Sequence, residues 1–163
     1  MWDMKKTKKT DYLMHGLSKR TDKLSDVSKP LTSEEWGGIY NPENIAGIVE
    51  SLTEGRISFQ IREMLKLSHE GDRVLEIGSG SGATSCYLAK NGRIVTALDF
   101  SENALKCVRG VAEKMDISIE TVLADATVEL PFAENQFDII FQAGLLEHFE
   151  QEMRIKLLKN WGK

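Results

Sequence analysis

The sequence predicts an α/β fold in which helices cover both faces of a parallel sheet. Two observations lead to this prediction. From Gly71 onward, short apolar segments of strand length alternate with segments of helical periodicity, and this alternation is typical of parallel strands joined by helical crossovers. The first apolar segment, Arg73–Ile77, runs directly into a loop with three alternating glycines, as expected where a strand of an open α/β sheet turns into a helix.

The remaining core elements follow in order along the chain. A helix extends from the glycine loop to Leu88, and the Asn91-Gly92 pair closes it. A second core helix, at about 101–115, has an apolar face made of Leu105, Val108, Ala112 and Met115. Three more strands are predicted at 93–98, 117–123 and 137–141, and a last helix at 147–161.

Two helical segments are predicted ahead of the core. One begins at Thr32 or Ser33, with carboxylates in its first turn where the helix dipole favours them. The glycines at 37 and 38 and the Asn41-Pro42 pair end it. The other covers about 56–67, where four apolar residues form one stripe at helical spacing: Ile57, Ile61, Met64 and Leu65.

Composition indicates a globular chain with a basic arm. The 163 residues include 21 Lys and Arg, 25 Asp and Glu and 41% apolar residues, which excludes collagen-like, disordered and disulfide-stapled classes. No segment approaches the ~20 apolar residues of a membrane span, and no apolar signal core follows the basic start. Residues 1–30 contain eight Lys and Arg against four Asp, so we expect a solvated basic arm at 1–30, helices at 31–70 and a core at 71–163.

The cysteines and histidines do not predict a metal site. Cys86 and Cys107 form no C-x-x-C pair, and the three histidines are scattered along the chain. We interpret both thiols as reduced core residues of a cytoplasmic protein.

Three acids are expected at the same edge of the sheet as the glycine loop. Glu76 lies two residues before the first glycine, Asp99 follows the second strand and Asp125 follows the third. The carboxyl ends of parallel strands line the crevice where open α/β sheets bind ligands, and an acid about 20 residues beyond the first glycine is placed to bind ribose hydroxyls. Asp99 or Asp125 taken alone would be explained as the cap of the helix or turn that comes next, whereas the three acids together with the glycines favour a ligand site.

These residues resemble a known family. The pattern Glu76-x-Gly78-x-Gly80-x-Gly82 is similar to motif I of the class I S-adenosylmethionine-dependent methyltransferases, with a Rossmann-like sheet. Asp99 matches the ribose-binding acid of that family, and Asp125-Ala126 matches its adenine-binding pair. The run 129–138 is similar to the "LPF…FD" stretch of small-molecule methyltransferases related to quinone and sterol biosynthesis, as is 146–149. The cofactor residues that the resemblance implies are Glu76, Gly78, Ser79, Gly80, Gly82, Asp99, Phe100, Asp125, Ala126 and Gln142.

The resemblance also implies the reaction. S-adenosylmethionine brings an already activated methyl group, so the protein mainly positions a small-molecule nucleophile and excludes water. His148 is the candidate general base, although it can equally orient its loop or face solvent. Trp36 and Tyr40 precede the core and are candidates to cover the cofactor or the substrate, since aromatic faces attract cations; simple packing explains them as well.

Two alternative enzyme classes carry different motifs at these positions. A dehydrogenase fingerprint usually reads Gly-x-Gly-x-x-Gly, and it needs no acid after the third strand. Methyltransferases that act on DNA bases carry Asn/Asp-Pro-Pro-aromatic after the fourth strand, where this chain reads Gln142-Ala143-Gly144-Leu145, so a nucleic-acid substrate is disfavoured. The competing function is a non-catalytic cofactor-binding or interaction module.

Only four of the seven strands of this family are found in the sequence. Three more would need ~60 or more residues at roughly 30 per strand–helix unit. We therefore expect a truncated fold whose fourth strand, 137–141, has an unpaired apolar edge. Such an edge is a template for association, so pairing with a second copy or a complementing chain is predicted there.

Overall fold

The computed structural model describes residues 32, 35, 38–40 and 42–162. The described residues belong to one compact unit, Leu31–Lys163. The basic arm at 1–30 and Trp36 lie outside the described residues.

The described chain forms five helices and four strands. In chain order they are α1 (Ile45–Thr53), α2 (Phe59–Leu67), β1 (Arg73–Ile77), α3 (Ala83–Lys90), β2 (Ile94–Asp99), α4 (Glu102–Met115), β3 (Glu120–Leu123), β4 (Ile139–Gln142) and α5 (Gln151–Trp161). Short 3-10 turns precede α1 at Pro42–Asn44 and follow β4 at Leu146–His148. None of the described helices is long and apolar enough to cross a bilayer.

The strands form one parallel sheet in the order β3-β2-β1-β4. Ile77 pairs with Leu98 on one side and with Gln142 on the other, and Asp99 pairs with Leu123. The carboxyl ends of all four strands therefore meet at one edge, as the α/β prediction requires. The predicted fold class is confirmed.

Alternation along β1 separates the two layers of the core. Leu75 and Ile77 face a cluster that includes Leu157 and Trp161 of α5. Val74 faces the other side, where it packs with residues of α2 and α3. Further residues of α1–α4 extend that second layer, including the buried Cys86. Cys107 is also buried, and neither cysteine forms a disulfide.

Side-chain caps mark where several helices begin. Ser58 Oγ accepts from Ile61 N at 3.2 Å at the start of α2, and Ser101 Oγ accepts from Ala104 N at 3.4 Å at the start of α4. Near the N-terminal edge of the described chain, Thr32 and Glu35 form a reciprocal pair, with Glu35 Oε2 accepting from Thr32 N at 2.7 Å and Thr32 Oγ1 accepting from Glu35 N at 3.3 Å. This is the capping box of a helix start, in agreement with the start predicted at Thr32.

Helix α1 was not predicted. Sequence analysis treats Asn41-Pro42 as a break, whereas Pro42 begins a 3-10 turn that leads into the helix. Proline is tolerated in a first helical turn because no intrahelical partner is needed for its missing N–H. The apolar side chains of α1, at 45, 48, 49 and 52, then pack on the layer that contains α4.

The predicted last helix, 147–161, is wrong in its first turns. Leu146–His148 is a 3-10 turn, and the extended backbone of Phe149 (φ −117°, ψ 149°) separates it from α5. Gln142 Oε1 accepts from Leu145 N at 2.7 Å, and Arg154 Nε donates to the carbonyl of Phe149 at 2.6 Å. The bond from Arg154 satisfies a carbonyl that a continuous helix would pair internally, and the bond to Gln142 satisfies an N–H ahead of the 3-10 turn. Strands β3 and β4 also begin later than predicted, at Glu120 and Ile139.

Candidate functional site

The glycine loop between β1 and α3 turns through three left-handed residues. Gly78, Gly80 and Gly82 have φ values of 73°, 54° and 76°, a region that side chains with a Cβ rarely adopt. Gly78 N donates to Leu98 O at 2.8 Å, so the loop stays bonded to β2 after β1 has ended. The predicted sharp turn is confirmed.

The loop is also packed too closely for any side chain at two of these glycines. A Cβ on Gly82 would lie 2.7 Å from Val108 Cγ2 and 2.9 Å from Val108 Cα. A Cβ on Gly80 would lie 2.8 Å from Tyr40 Oη. Gly82 therefore lets α3 approach α4, and Gly80 lets Tyr40 approach the loop.

Asp99, the last residue of β2, binds the glycine loop directly. Its Oδ2 accepts from Gly80 N at 2.9 Å, and its Oδ1 accepts from Ser101 N at 2.9 Å. Burial raises the pKa of Asp99, while backbone hydrogen bonds from Gly80, Ser101 and Phe100 oppose that rise. The residue is 5% exposed, and its bond to Gly80 N links the end of β2 to the loop that follows β1.

Glu76 lies beneath the loop rather than at its surface. It is 3% exposed, and its Oε2 accepts from Ser85 N at 3.0 Å and from Ser85 Oγ at 2.5 Å. Burial raises the pKa of Glu76 to about 7, against these hydrogen bonds, and the neighbouring Asp99 charge adds to the rise. The side chain thus anchors the first turn of α3 to β1.

Asp125 and Ala126 follow β3 in an exposed turn. Asp125 Oδ1 accepts from Thr127 N at 2.8 Å, an Asx-type turn of the chain. The carbonyl of Ala126 accepts from Trp161 Nε1 at 3.0 Å. The last residue of α5 therefore holds the turn that carries the predicted adenine-binding pair.

Gln142 shapes the segment after β4. Its Oε1 accepts from Leu145 N at 2.7 Å and Leu146 N at 3.1 Å. This turn brings Leu145 over the glycine loop, since a Cβ on Gly78 would lie 3.2 Å from Leu145 Cδ2. His148 is exposed at the end of the same segment.

A cavity of about 60 Å³ lies at the carboxyl edge of the sheet, between the glycine loop and the segment after β4. Three of the residues that line it were predicted for the site, namely Gly78, Asp99 and Phe100. The other lining residues are Tyr40, Ala143, Gly144 and Leu145. The other predicted site residues are not among those that line it, namely Glu76, Ser79, Gly80, Gly82, Asp125, Ala126, Gln142 and His148.

Leu145 was missed because nothing in its local pattern distinguishes it from a core leucine. Tyr40 is a candidate cover for the cofactor on its sequence position, but it is not among the predicted cofactor residues. The sequence feature that could have identified Tyr40 as a site residue is its position, as an aromatic residue just before the α/β core. Tyr40 contacts Gly80, which lies forty residues later in the chain. Local sequence patterns cannot predict a contact over that distance.

The residues at this edge suit S-adenosylmethionine chemically. The buried carboxylate of Asp99 lines the cavity and favours a cationic ligand there. The Ser79 hydroxyl is buried and, within the described residues, has no hydrogen-bond partner, so a polar ligand group would satisfy it. Pockets for small molecules usually measure ~300–1,000 Å³, so a cofactor seated here would extend beyond the cavity and pack against lining side chains such as Tyr40 and Leu145.

Comparison with known proteins gives a consistent picture. The family model described as "Methyltransferase domain" matches residues 74–163. The chain is 35% identical over 138 residues, 85% of its length, to a ubiquinone biosynthesis O-methyltransferase of Coxiella burnetii, of which it covers 53%. It is 41% identical over 70 residues, 43% of its length, to a demethylmenaquinone methyltransferase of Clavibacter sepedonicus, of which it covers 28%.

Among solved structures, a SAM-dependent methyltransferase from Aquifex aeolicus superposes with a TM-score of 0.56 at 26% identity. The superposition covers 76% of this chain and 68% of that one. The chain spans about half the length of the Coxiella relative that it matches.

Proposed function

The chain belongs to the class I S-adenosylmethionine-dependent methyltransferases, and on that premise we propose that it binds S-adenosylmethionine and serves methyl transfer to a small molecule. One observation carries the proposal. Gly78, Asp99 and Phe100 come from the ends of two neighbouring strands and line one cavity at the carboxyl edge of the sheet. This edge is where open α/β sheets bind their ligands.

We assign the nucleoside part of the cofactor to the acids after β2 and β3. Asp99 lines the cavity and has carboxylate oxygens that can accept from ribose hydroxyls. Asp125 is exposed, and within the described residues its hydrogen bond to Thr127 uses only Oδ1. The other oxygen is then available to accept from the exocyclic amine of adenine, with Ala126 beside it.

We assign the amino-acid part of the cofactor to the glycine loop. Gly78 and Gly80 present backbone without a side chain, and Ser79 supplies a buried hydroxyl. Glu76 and Gln142 act as positioning residues, since the first anchors α3 through Ser85 and the second builds the turn that places Leu145.

The bound cofactor would supply an electrophilic methyl group. The chain's contribution is to orient an acceptor and to exclude water from the reacting centre. His148 remains our candidate general base for a hydroxyl acceptor, because it is exposed in the turn after β4, beside the cavity-lining segment 143–145. General-base assistance typically contributes ~10²–10⁴-fold to a rate.

We propose a hydroxylated aromatic acceptor of the quinone-precursor class. The support is the similarity to an O-methyltransferase of ubiquinone biosynthesis and to a demethylmenaquinone methyltransferase. We propose this turnover for the whole protein, because the chain spans about half of the Coxiella relative. The free, buried thiols of Cys86 and Cys107 are consistent with the cytoplasmic location that we propose.

The edge of β4 is the proposed interaction surface. Within the described residues, β4 pairs only with β1 and its outer side has no partner strand. We propose that a second copy or a complementing chain adds a strand there. Sedimentation with hydrogen exchange at 139–142 tests this: association with protected amides supports it, and a monomer with rapidly exchanging amides contradicts it.

Isothermal titration calorimetry with S-adenosylhomocysteine tests the cofactor assignment. We expect binding at one site per chain, together with a rise in Tm as ligand is added. Neither heat nor a Tm shift at millimolar ligand would overturn the proposed cofactor site and leave only the fold. Methyl transfer from labelled S-adenosylmethionine to catechol-type acceptors then separates an enzyme from a cofactor-binding module.

A further inference from the structure

Tyr40 reaches the glycine loop from outside the core sheet. Its Oη, Cε1 and Cζ atoms lie 2.8–2.9 Å from the position that a Cβ on Gly80 would occupy. The residue is half-buried and lines the cavity together with Gly78 and Asp99. The ring therefore rests on the same loop that we assign to the cofactor.

A ligand that enters this cavity has to touch Tyr40. The cavity measures about 60 Å³, far less than the ~300–1,000 Å³ of typical small-molecule pockets. Since Tyr40 and Leu145 lie on the glycine loop from two sides, a nucleoside-sized ligand that binds at this loop packs against these side chains. The aromatic ring consequently becomes part of the wall of the loaded site.

The acids near Tyr40 are Asp99, which lines the same cavity, and Glu76 beneath the loop. Burial raises the pKa of Tyr40 to about 12, and the carboxylates of Asp99 and Glu76 add to the rise. The phenol hence stays neutral, and its ring lies in a field that opposes a further negative charge. The same field favours a positive charge beside the ring.

We propose that Tyr40 is a specificity-determining residue that makes this site prefer the sulfonium form of the cofactor to the neutral thioether. The inference rests on the proposed function, because it concerns the site assigned there to S-adenosylmethionine. An aromatic face attracts a cation, most strongly where water is excluded. The thioether that remains after methyl transfer has no such charge, so the ring would hold the methyl donor and release the product.

The test is the ratio of the dissociation constants of S-adenosylhomocysteine and S-adenosylmethionine, measured by calorimetry. For Tyr40→Leu we expect this ratio to fall about five- to thirtyfold, because the variant loses a partly or fully desolvated cation–π contact. Tyr40→Phe keeps the ring and should keep the ratio. Phe59→Leu is the matched control, since Phe59 is 65% exposed at the start of α2 and its loss should leave the ratio unchanged.

A second variant, with pentafluorophenylalanine at position 40, tests the inference even if Tyr40→Leu folds poorly. Its ring has almost the shape of phenylalanine but a reversed quadrupole, so the ratio should fall while the thermal unfolding midpoint stays close to that of Tyr40→Phe. An unchanged ratio in both the leucine and the fluorinated variants would overturn the inference. A wild-type chain that binds neither ligand would instead refute the proposed function.

Discussion

The carboxylate of Asp99 accepts a hydrogen bond from Gly80 N at 2.9 Å, so the residue that ends β2 holds the loop that follows β1. A second oxygen accepts from Ser101 N. The same side chain therefore shapes the glycine loop and supplies the negative charge that lines the cavity. Asp99 can therefore bond the backbone at the start of the next segment and also bind a ligand in the cavity.

Asp99→Asn should weaken binding of S-adenosylhomocysteine by at least about tenfold. The amide keeps one acceptor but loses the charge, and hydrogen bonds to charged groups contribute ~1.5–3 kcal/mol. Calorimetry measures the affinity. Asp116→Asn is the control, because Asp116 is an exposed residue at the far end of α4 whose left-handed backbone (φ 53°) also suits asparagine. Equal affinities of the two variants would contradict the role of Asp99.

Gly82→Ala should destabilise the fold by about 2–4 kcal/mol, because a left-handed backbone and overpacking each have a cost for alanine. The new Cβ would meet the backbone of Val108 at 2.9 Å, and backbone atoms cannot rotate away. Gly55→Ala is closely matched, with φ 73° and nothing within 4 Å of its Cβ. Urea unfolding should show a clearly larger loss for Gly82→Ala; similar losses would mean that contact with Val108 does not matter.

Glu76→Gln should change how stability depends on pH. The pKa of Glu76 is raised from 4.5 to about 7, so the folded state binds a proton that the unfolded state releases more readily. The wild type should therefore lose stability as pH rises from 4.5 through about 7, and the variant should lack this decline. Thermal unfolding at several pH values measures it. Parallel Tm curves for the two proteins would show that the buried carboxyl does not titrate in this range.

Asp138→Asn should lower Tm near neutral pH, with a gap that narrows in acid. Asp138 Oδ1 accepts from Arg73 Nη2 at 3.0 Å, and Oδ2 accepts from Arg73 Nε at 3.1 Å. Hydrogen bonds from Arg73 lower the pKa of Asp138 from 3.8 to about 2. The stabilisation is therefore present above pH 3.8 and is lost as pH falls through about 2.

The control for that prediction is Glu63→Gln. Glu63 pairs with Lys66 at 2.7 Å within one helix, and both side chains are exposed. Surface pairs of this kind contribute little, so its Tm should match the wild type at every pH. A gap for Asp138→Asn that stays constant down to about pH 2 would show that its effect does not come from ionisation.

Much of the sheet edge could be predicted from short stretches of sequence. Strand β1 has the predicted bounds, and the three glycines have the left-handed backbone that their spacing suggests. Helix α1 was missed because Pro42 looks like a terminator, although it occupies the turn that precedes the helix. The break at Phe149 was missed because its carbonyl is bonded by the side chain of Arg154, five residues later in the next helix.

The sequence by itself determined the local features of this protein, namely its strands, its glycine turn and the acids at the strand ends. These features follow from backbone conformations and periodicities that span a few residues. Tertiary structure alone decided that Tyr40 rests on Gly80, that Leu145 covers Gly78 and that Trp161 holds Ala126. Each of these contacts joins residues at least thirty-five positions apart, and the packing of helices on the sheet, rather than any local pattern, brings such residues together.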